Sequence, residues 1–123
     1  MARIEDARNV WLATVRPDGR PHLTPIWFCF VNDRLWICTG ADAVKTRNVR
    51  SNRNVSVSLE DGDVPVIAEG TASVHEPPYP RAVVDAFLEK YDWDISKHDD
   101  PDGPFDALLE ISVRRWLMGG PNT

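Results

Sequence analysis

The chain has 123 residues, 42% of them apolar, with five Trp, four Phe and a net charge of −5. That length suits one domain, residues 1–123, small enough for self-association to add useful burial, and the apolar content excludes global disorder. The acidic balance argues against a nucleic-acid binder, and no apolar run approaches the roughly 20 residues that span a bilayer. The start, Met1-Ala2-Arg3-Ile4, carries no secretory apolar region, so a cytoplasmic protein is expected.

Residues 3 to 9 allow one or two helical turns, too short to be independent. Val10 to Arg16 reads as a strand with Trp11, Ala13 and Val15 on one face. Pro17-Asp18-Gly19 is a turn, because proline presets φ and glycine takes a positive-φ position. Arg20 to Val31 follows, with Pro21 and Pro25 demoting its start to an edge or bulged strand. Asn32-Asp33 suits a two-residue hairpin loop, and Arg34 to Thr39 returns. In that hairpin Trp27 faces Cys38 and Cys29 faces Trp36, sharing a face with Leu23 and Pro25. The other face carries Ile26, Phe28 and Phe30 against Leu35 and Ile37. Such a hairpin needs two covers: the core on one face and, on the other, a partner subunit, a helix or a flat aromatic ligand. Cys29 and Cys38 would be diagonal neighbours, too far apart for a disulfide, and read as small buried hydrophobes.

Residues 39 to 54 set Lys45, Arg47, Arg50 and Arg53 against a single acid, Asp42. After Thr39-Gly40 turns the chain, Asp42 can cap a short helix starting at Ala43. A strand, a tight turn and a cationic helix start make a place for an anion, with a solvated basic face as the plainer alternative. Lys45 and Asn48 are one helical turn apart and can face one ligand. Arg47 lies roughly 200° from Lys45 on a regular helix, so it joins them only if the backbone there is irregular. A Walker-type phosphate loop is excluded, since no Gly-Lys-Ser/Thr is present.

Asn54 to Glu60 alternates, with Val55, Val57 and Leu59 inward, and Asp61-Gly62-Asp63 turns the chain. Val64 to Val74 alternates again, and Gly70 within it marks a bulge or a close backbone approach. Pro77-Pro78-Tyr79-Pro80 ends the sheet, and Arg81 to Tyr91 reads as an amphipathic helix through Val83, Val84, Phe87, Leu88 and Tyr91. Residues 91 to 104 form a polar, acidic surface loop with the makings of a lid. Phe105 to Leu117 is the last strand, and residues 119–123 are a flexible tail. Six strands at short spacing indicate an antiparallel barrel rather than a βαβ sheet.

His22, His75 and His98 form no metal-binding pair, and no Gly-x-Ser-x-Gly elbow is present. Asp99, Asp100 and Asp102 read as solvated loop acids, so no metal site is expected. With no catalytic acid, base or nucleophile identifiable, an enzyme of this sequence would take its chemistry from a cofactor.

Four ordered blocks make the sequence recognisable. They are Leu12-Ala13-Thr14-Val15-Arg16-Pro17-Asp18-Gly19-Arg20-Pro21-His22, Thr24-Pro25-Ile26-Trp27-Phe28, Lys45-Thr46-Arg47-Asn48-Val49-Arg50 and Ala68-Glu69-Gly70-Thr71-Ala72. Together they resemble the pyridoxamine 5′-phosphate oxidase-like split-barrel family, and within it the flavin/deazaflavin oxidoreductases of the branch that often uses coenzyme F420. The resemblance covers residues 9 to 76 well and the rest loosely. It implies a mainly β, six-stranded antiparallel split barrel (the FMN-binding split barrel) with two or three short helices. It also implies a homodimer with two cofactor sites at its interface. By the same resemblance Lys45, Arg47 and Asn48 hold the cofactor phosphate, with Thr39 and Gly40 on the turn beside it. Pro25, Ile26 and Trp27 would lie along the ring system, with His22 a further candidate on the same strand. The implied activity is hydride transfer between F420 or FMN and a small molecule, the alternative being a non-catalytic flavin-, deazaflavin- or haem-binding protein. Two departures stand out. Ala43 occupies a position that is basic in many relatives, and the Arg-x-Val-Leu-Leu-Lys pattern of true pyridoxamine-phosphate oxidases is absent, which argues against vitamin B6 oxidation.

Overall fold

In the computed structural model, which describes residues 2–97 and 100–119, the alternating segments form one antiparallel sheet. His98, Asp99 and all of the expected tail except Gly119 lie outside the described residues. A short helix α1 (Ala2–Asp6) precedes strands β1 (Val10–Val15), β2 (Pro21–Ile26), β3 (Cys29–Val31) and β4 (Arg34–Thr39). Helix α2 (Val44–Ser51), strands β5 (Asn54–Ser58) and β6 (Ile67–His75), helix α3 (Arg81–Tyr91) and strand β7 (Ala107–Met118) complete the order. The strands lie in the order β2-β1-β5-β6-β7-β4-β3. Its two edges, β2 and β3, are consecutive in the chain, so the sheet must curl until they meet at Trp27-Phe28. The result is a split barrel. No helix among the described residues is long and apolar enough to cross a membrane.

The described strands number seven rather than six, because the run from Arg20 to Val31 breaks in two. Pro21 and Pro25 cannot donate to a ladder, and β2 accordingly sits at an edge, pairing only with β1 from Val10↔Ile26 to Val15↔Pro21. The hairpin expected around Asn32-Asp33 holds for its short inner part, Cys29↔Trp36 to Val31↔Arg34. Both loop residues take positive φ, 55° and 62°, as a type I′ turn requires. Trp27 does not pair with Cys38. At the break the Phe28 N–H donates to the Tyr91 hydroxyl at 3.0 Å, and the Phe28 carbonyl accepts from Lys90 Nζ at 2.9 Å. The hydroxyl's own hydrogen is then available to the Arg8 carbonyl, 2.7 Å away. The buried Tyr91 phenol and the Lys90 ammonium together therefore satisfy the backbone groups that the broken strand frees.

Two apolar clusters flank the sheet. Inside the curl, Val10, Leu12, Phe28, Leu35, Ile37, Val55, Val57 and Ile111 pack with Val49 of α2. On the outer side, Cys29, Trp36 and Cys38 are covered by Val83, Phe87 and Tyr91 of α3 together with Ile95. Of the three covers open to the doubly apolar hairpin, a helix takes this face. Full burial of Phe87 alone is worth about 1.5–3 kcal/mol. Leu23 and Trp27 are left outside that cover, 59% and 40% exposed. Gly70 sits where a Cβ would come 2.2 Å from the Ser112 carbonyl oxygen, beside a register shift between β6 and β7. The close approach expected of that glycine is real.

Candidate functional site

The inner face of β2 presents His22, Thr24 and Ile26, opposite Thr14, Leu12 and Val10 of β1. Four residues of strand cover about 13 Å. One end of this line meets α2 and the other opens into an aromatic cleft.

At the α2 end the helix is regular over Val44–Ser51, begins on Ala43 and has neither a side-chain cap nor an acid in its first turn. Asp42, expected as the cap, is exposed. The turn is closed instead on the Gly40 carbonyl, which accepts from the Ala43 N–H at 3.1 Å and the Thr46 hydroxyl at 2.6 Å. The Val44, Lys45 and Thr46 amides therefore have no acceptor among the described residues. Lys45 is half-buried, and desolvation holds its ammonium below the ordinary lysine pKa. None of the ion pairs among the described residues includes it. Burial, then Arg16 and Lys45, lower the pKa of His22, which favours its neutral ring. Its Nδ1 and the Thr24 Oγ1 are buried without hydrogen-bond partners among the described residues. Buried polar groups normally have partners, so two such atoms on one strand face mark places where a bound group would be satisfied.

The remaining phosphate candidates are placed differently. Asn48 is buried and donates from Nδ2 to the Thr14 hydroxyl at 3.0 Å, tying α2 to β1. Arg47 is exposed, and on this regular helix it points away from the side carrying Lys45 and Asn48. Thr39 is buried at the end of β4 opposite Ala107, and a Cβ on Gly40 would lie 3.1 Å from the Pro104 carbonyl. The Asp106 carboxylate accepts the Ala41 N–H at 2.7 Å, so this turn is held against the start of β7.

At the other end lies a cleft of about 550 Å³. Pro25, Ile26, Trp27 and Cys38 line one side, and Tyr91, Trp93 and Phe105 the other, with Asp92, Asp100 and Asp102 completing the lining. The Trp27 ring stacks on Tyr91, centroids 4.4 Å apart and planes 5° from parallel, while Trp93 meets Phe105 edge-on at 4.9 Å. Burial pushes the Cys38 thiol up to about 12 and the Cys29 thiol up to about 11, so neither is a nucleophile near neutrality. Sequence reasoning missed Thr24, Tyr91, Trp93 and Phe105 as site residues. The signal for the last three was three aromatics bounding a loop that is otherwise polar and acidic.

A curled sheet whose edges meet at one break, with a basic helix start and an aromatic cleft along its edge strand, defines a split-barrel protein. The family model described as pyridoxamine 5′-phosphate oxidase matches residues 1–118, and the chain belongs to this family. A solved structure named as an F420 reductase has a TM-score of 0.74 at 22% identity, covering 94% of this chain and 93% of that one. A conserved hypothetical protein from Mycobacterium tuberculosis is 31% identical, with a TM-score of 0.70 over 89% of this chain and 75% of its own. The haem storage protein HutZ from Vibrio cholerae has a TM-score of 0.73 at 18% identity, over 92% and 87% of the two chains. The first and third likenesses are ones of fold.

Proposed function

We propose that this chain binds FMN or the deazaflavin coenzyme F420 along β2 and serves as an oxidoreductase, moving a hydride to or from a small molecule. The observation that carries this reading is the two-ended line itself. An uncapped helix start with an unpaired, half-buried Lys45 lies at one end, an aromatic cleft at the other, and two unpartnered polar atoms between. These residues fit a phosphate-bearing ring cofactor. Lys45 and the first-turn amides of α2 would hold the phosphate, with Thr39 and Gly40 shaping the turn. His22 Nδ1 and Thr24 Oγ1 would hydrogen-bond the group between, and Pro25, Ile26 and Trp27 would orient the ring and keep water from it. Arg47 would meet the phosphate only at its outer edge, and Asn48 would act by holding α2 in place. When bound, the cofactor supplies the hydride chemistry for which the chain has no group of its own.

The non-catalytic alternative includes haem binding, as the likeness to HutZ invites. Against it, no histidine among the described residues lines the cleft, and the one cysteine there is held as a neutral thiol, a poor iron ligand. The absorbance of the purified protein, followed by fluorescence titration with FMN and F420, tests the reading. At least one should bind in the micromolar range or tighter, on the order of −8 kcal/mol. No binding of either to folded protein refutes it, and binding without turnover of any added acceptor favours a carrier. We further propose a homodimer. The exposed Leu23 and the half-exposed Trp11 and Ala13 share the outer face of β1 and β2, an apolar patch suited to a second copy. Sedimentation should give twice the monomer mass.

A further inference from the structure

The cleft at the ring end carries an electrostatic sign opposite to that of the α2 end. Asp92, Asp100 and Asp102 line it, and among the described residues no lysine or arginine does. None of the three carboxylates appears in an ion pair among the described residues. Among the described residues the Asp100 carboxylate accepts one hydrogen bond, from the backbone N–H of Asp102 at 2.8 Å. Trp27, Tyr91, Trp93 and Phe105 bring aromatic faces to the same lining, and the chain's own cations already seek these faces out. The Arg8 guanidinium lies 4.8 Å from the Trp27 and Tyr91 centroids, and Lys90 Nζ lies 5.2 Å from that of Tyr91. Aromatic walls with carboxylates around them are the chemistry that holds organic cations.

The proton inventory of the cleft points the same way. Reducing a carbonyl or an alkene takes a hydride and a proton. Yet the Cys38 thiol is pushed up to about 12, and the Tyr91 hydroxyl, also raised to about 12, is engaged with backbone groups of Arg8 and Phe28. No other lining residue among the described ones carries a thiol, phenol, imidazole or ammonium to donate from. An acceptor that needs no proton suits such a site.

We infer that the cleft takes a planar organic cation, an N-heteroaromatic or iminium compound, as the hydride acceptor. The inference rests on the cofactor reading above. The hydride bond of the reduced cofactor breaks, with its electron pair, to form a C–H bond at the iminium carbon. The C=N π pair passes to nitrogen and cancels its positive charge, while the donor is oxidised by two electrons and sheds its N–H proton to water. The product is neutral, so the attraction that draws the substrate in is lost once it has reacted.

Calorimetric titration of the cofactor-free protein at pH 8 tests this without turnover. The probes are N-methylquinolinium and quinoline, which match in size and differ in charge. The cation should bind about tenfold more tightly, and its advantage should shrink as salt rises from about 20 to 300 mM, because the carboxylates are solvent-accessible. The D92N/D100N/D102N variant, checked for folding by its thermal transition, should bind both probes equally. If it does not fold, D92N and D102N singly should each lower the cation preference. Equal binding of the two probes by the parent, or a preference that survives the substitutions, overturns the inference. FMN and F420 titration fails or succeeds separately. Cofactor binding without cation preference removes only the substrate class, and cation binding without cofactor binding removes the redox role.

Discussion

Lys45→Gln is the substitution that most sharply separates a phosphate site from a solvated basic face. It preserves much of the side chain's length and hydrogen bonding while removing the charge. Among the described residues Lys45 has no carboxylate partner, so no ion pair is broken with it. Hydrogen bonds to charged groups are worth about 1.5–3 kcal/mol, so FMN or F420 affinity should fall about ten- to a hundredfold. Stability of the cofactor-free protein should move little, or slightly upward. Burial disfavours the charged form of Lys45, so between its lowered folded pKa and the ordinary value of 10.5 the unfolded chain binds more protons. Stability therefore rises with pH through that window in the parent, and the rise should be smaller in the variant. Fluorescence titration gives the affinity, and denaturant melts at pH 7 and pH 10 give the linkage. Arg53→Gln is the control. Its Nε donates to the Ala72 carbonyl at 3.1 Å, away from the first turn of α2, and its loss should cost affinity much less. A Lys45→Gln variant that binds both cofactors as well as the parent does refutes the phosphate role.

Asn48→Leu should weaken binding together with stability, by about 1–3 kcal/mol in a denaturant melt, because the Thr14 hydroxyl loses its buried partner. Arg47→Gln, on the exposed side of a regular helix, should be milder in both, and a loss of affinity equal to that of Lys45→Gln would show the helix start remodelled on binding. Gly70→Ala should destabilise by about 1–3 kcal/mol or more, since a backbone oxygen, not a movable side chain, stands 2.2 Å from the new Cβ. Cys29 and Cys38 should both resist a thiol reagent at pH 8 in the native protein and both react in denaturant, as their raised values of about 11 and about 12 require. Rapid native labelling of either would contradict their burial.

Local pattern carried much of the fold. The boundaries of Arg34–Thr39 and Arg81–Tyr91 coincide with the segments read from periodicity, and the inward set Val55, Val57 and Leu59 is buried. Gly70 was legible because a glycine inside an alternating strand has few other uses. What failed was long-range partnership. The prolines of Arg20–Val31 marked an edge, but nothing in the segment says that its first half pairs with β1 and only its last residues with β4. The face assigned to Leu23, Pro25, Trp27, Cys29, Trp36 and Cys38 was accordingly split between two ends of the sheet. For the candidate site, the basic start of α2 was readable from charge and spacing. The cleft was only half readable, because its second wall comes from residues some sixty positions further along the chain and is assembled by α3, whose docking no local pattern specifies.

The position of β7 has a consequence for how the protein is made. Of the seven described strands the last to be synthesised, β7, lies between β6 and β4, in the interior of the sheet order. Until residues 107–118 emerge, the nascent chain can build only β2-β1-β5-β6 and, separately, β4-β3. Each of these pieces presents an open strand edge, β6 on one and β4 on the other, and such edges invite pairing with other chains. A chain shortened before β7 should thus be recovered as aggregate, and the full chain should be most exposed to misassembly in the interval before its C-terminal strand zips the two pieces together.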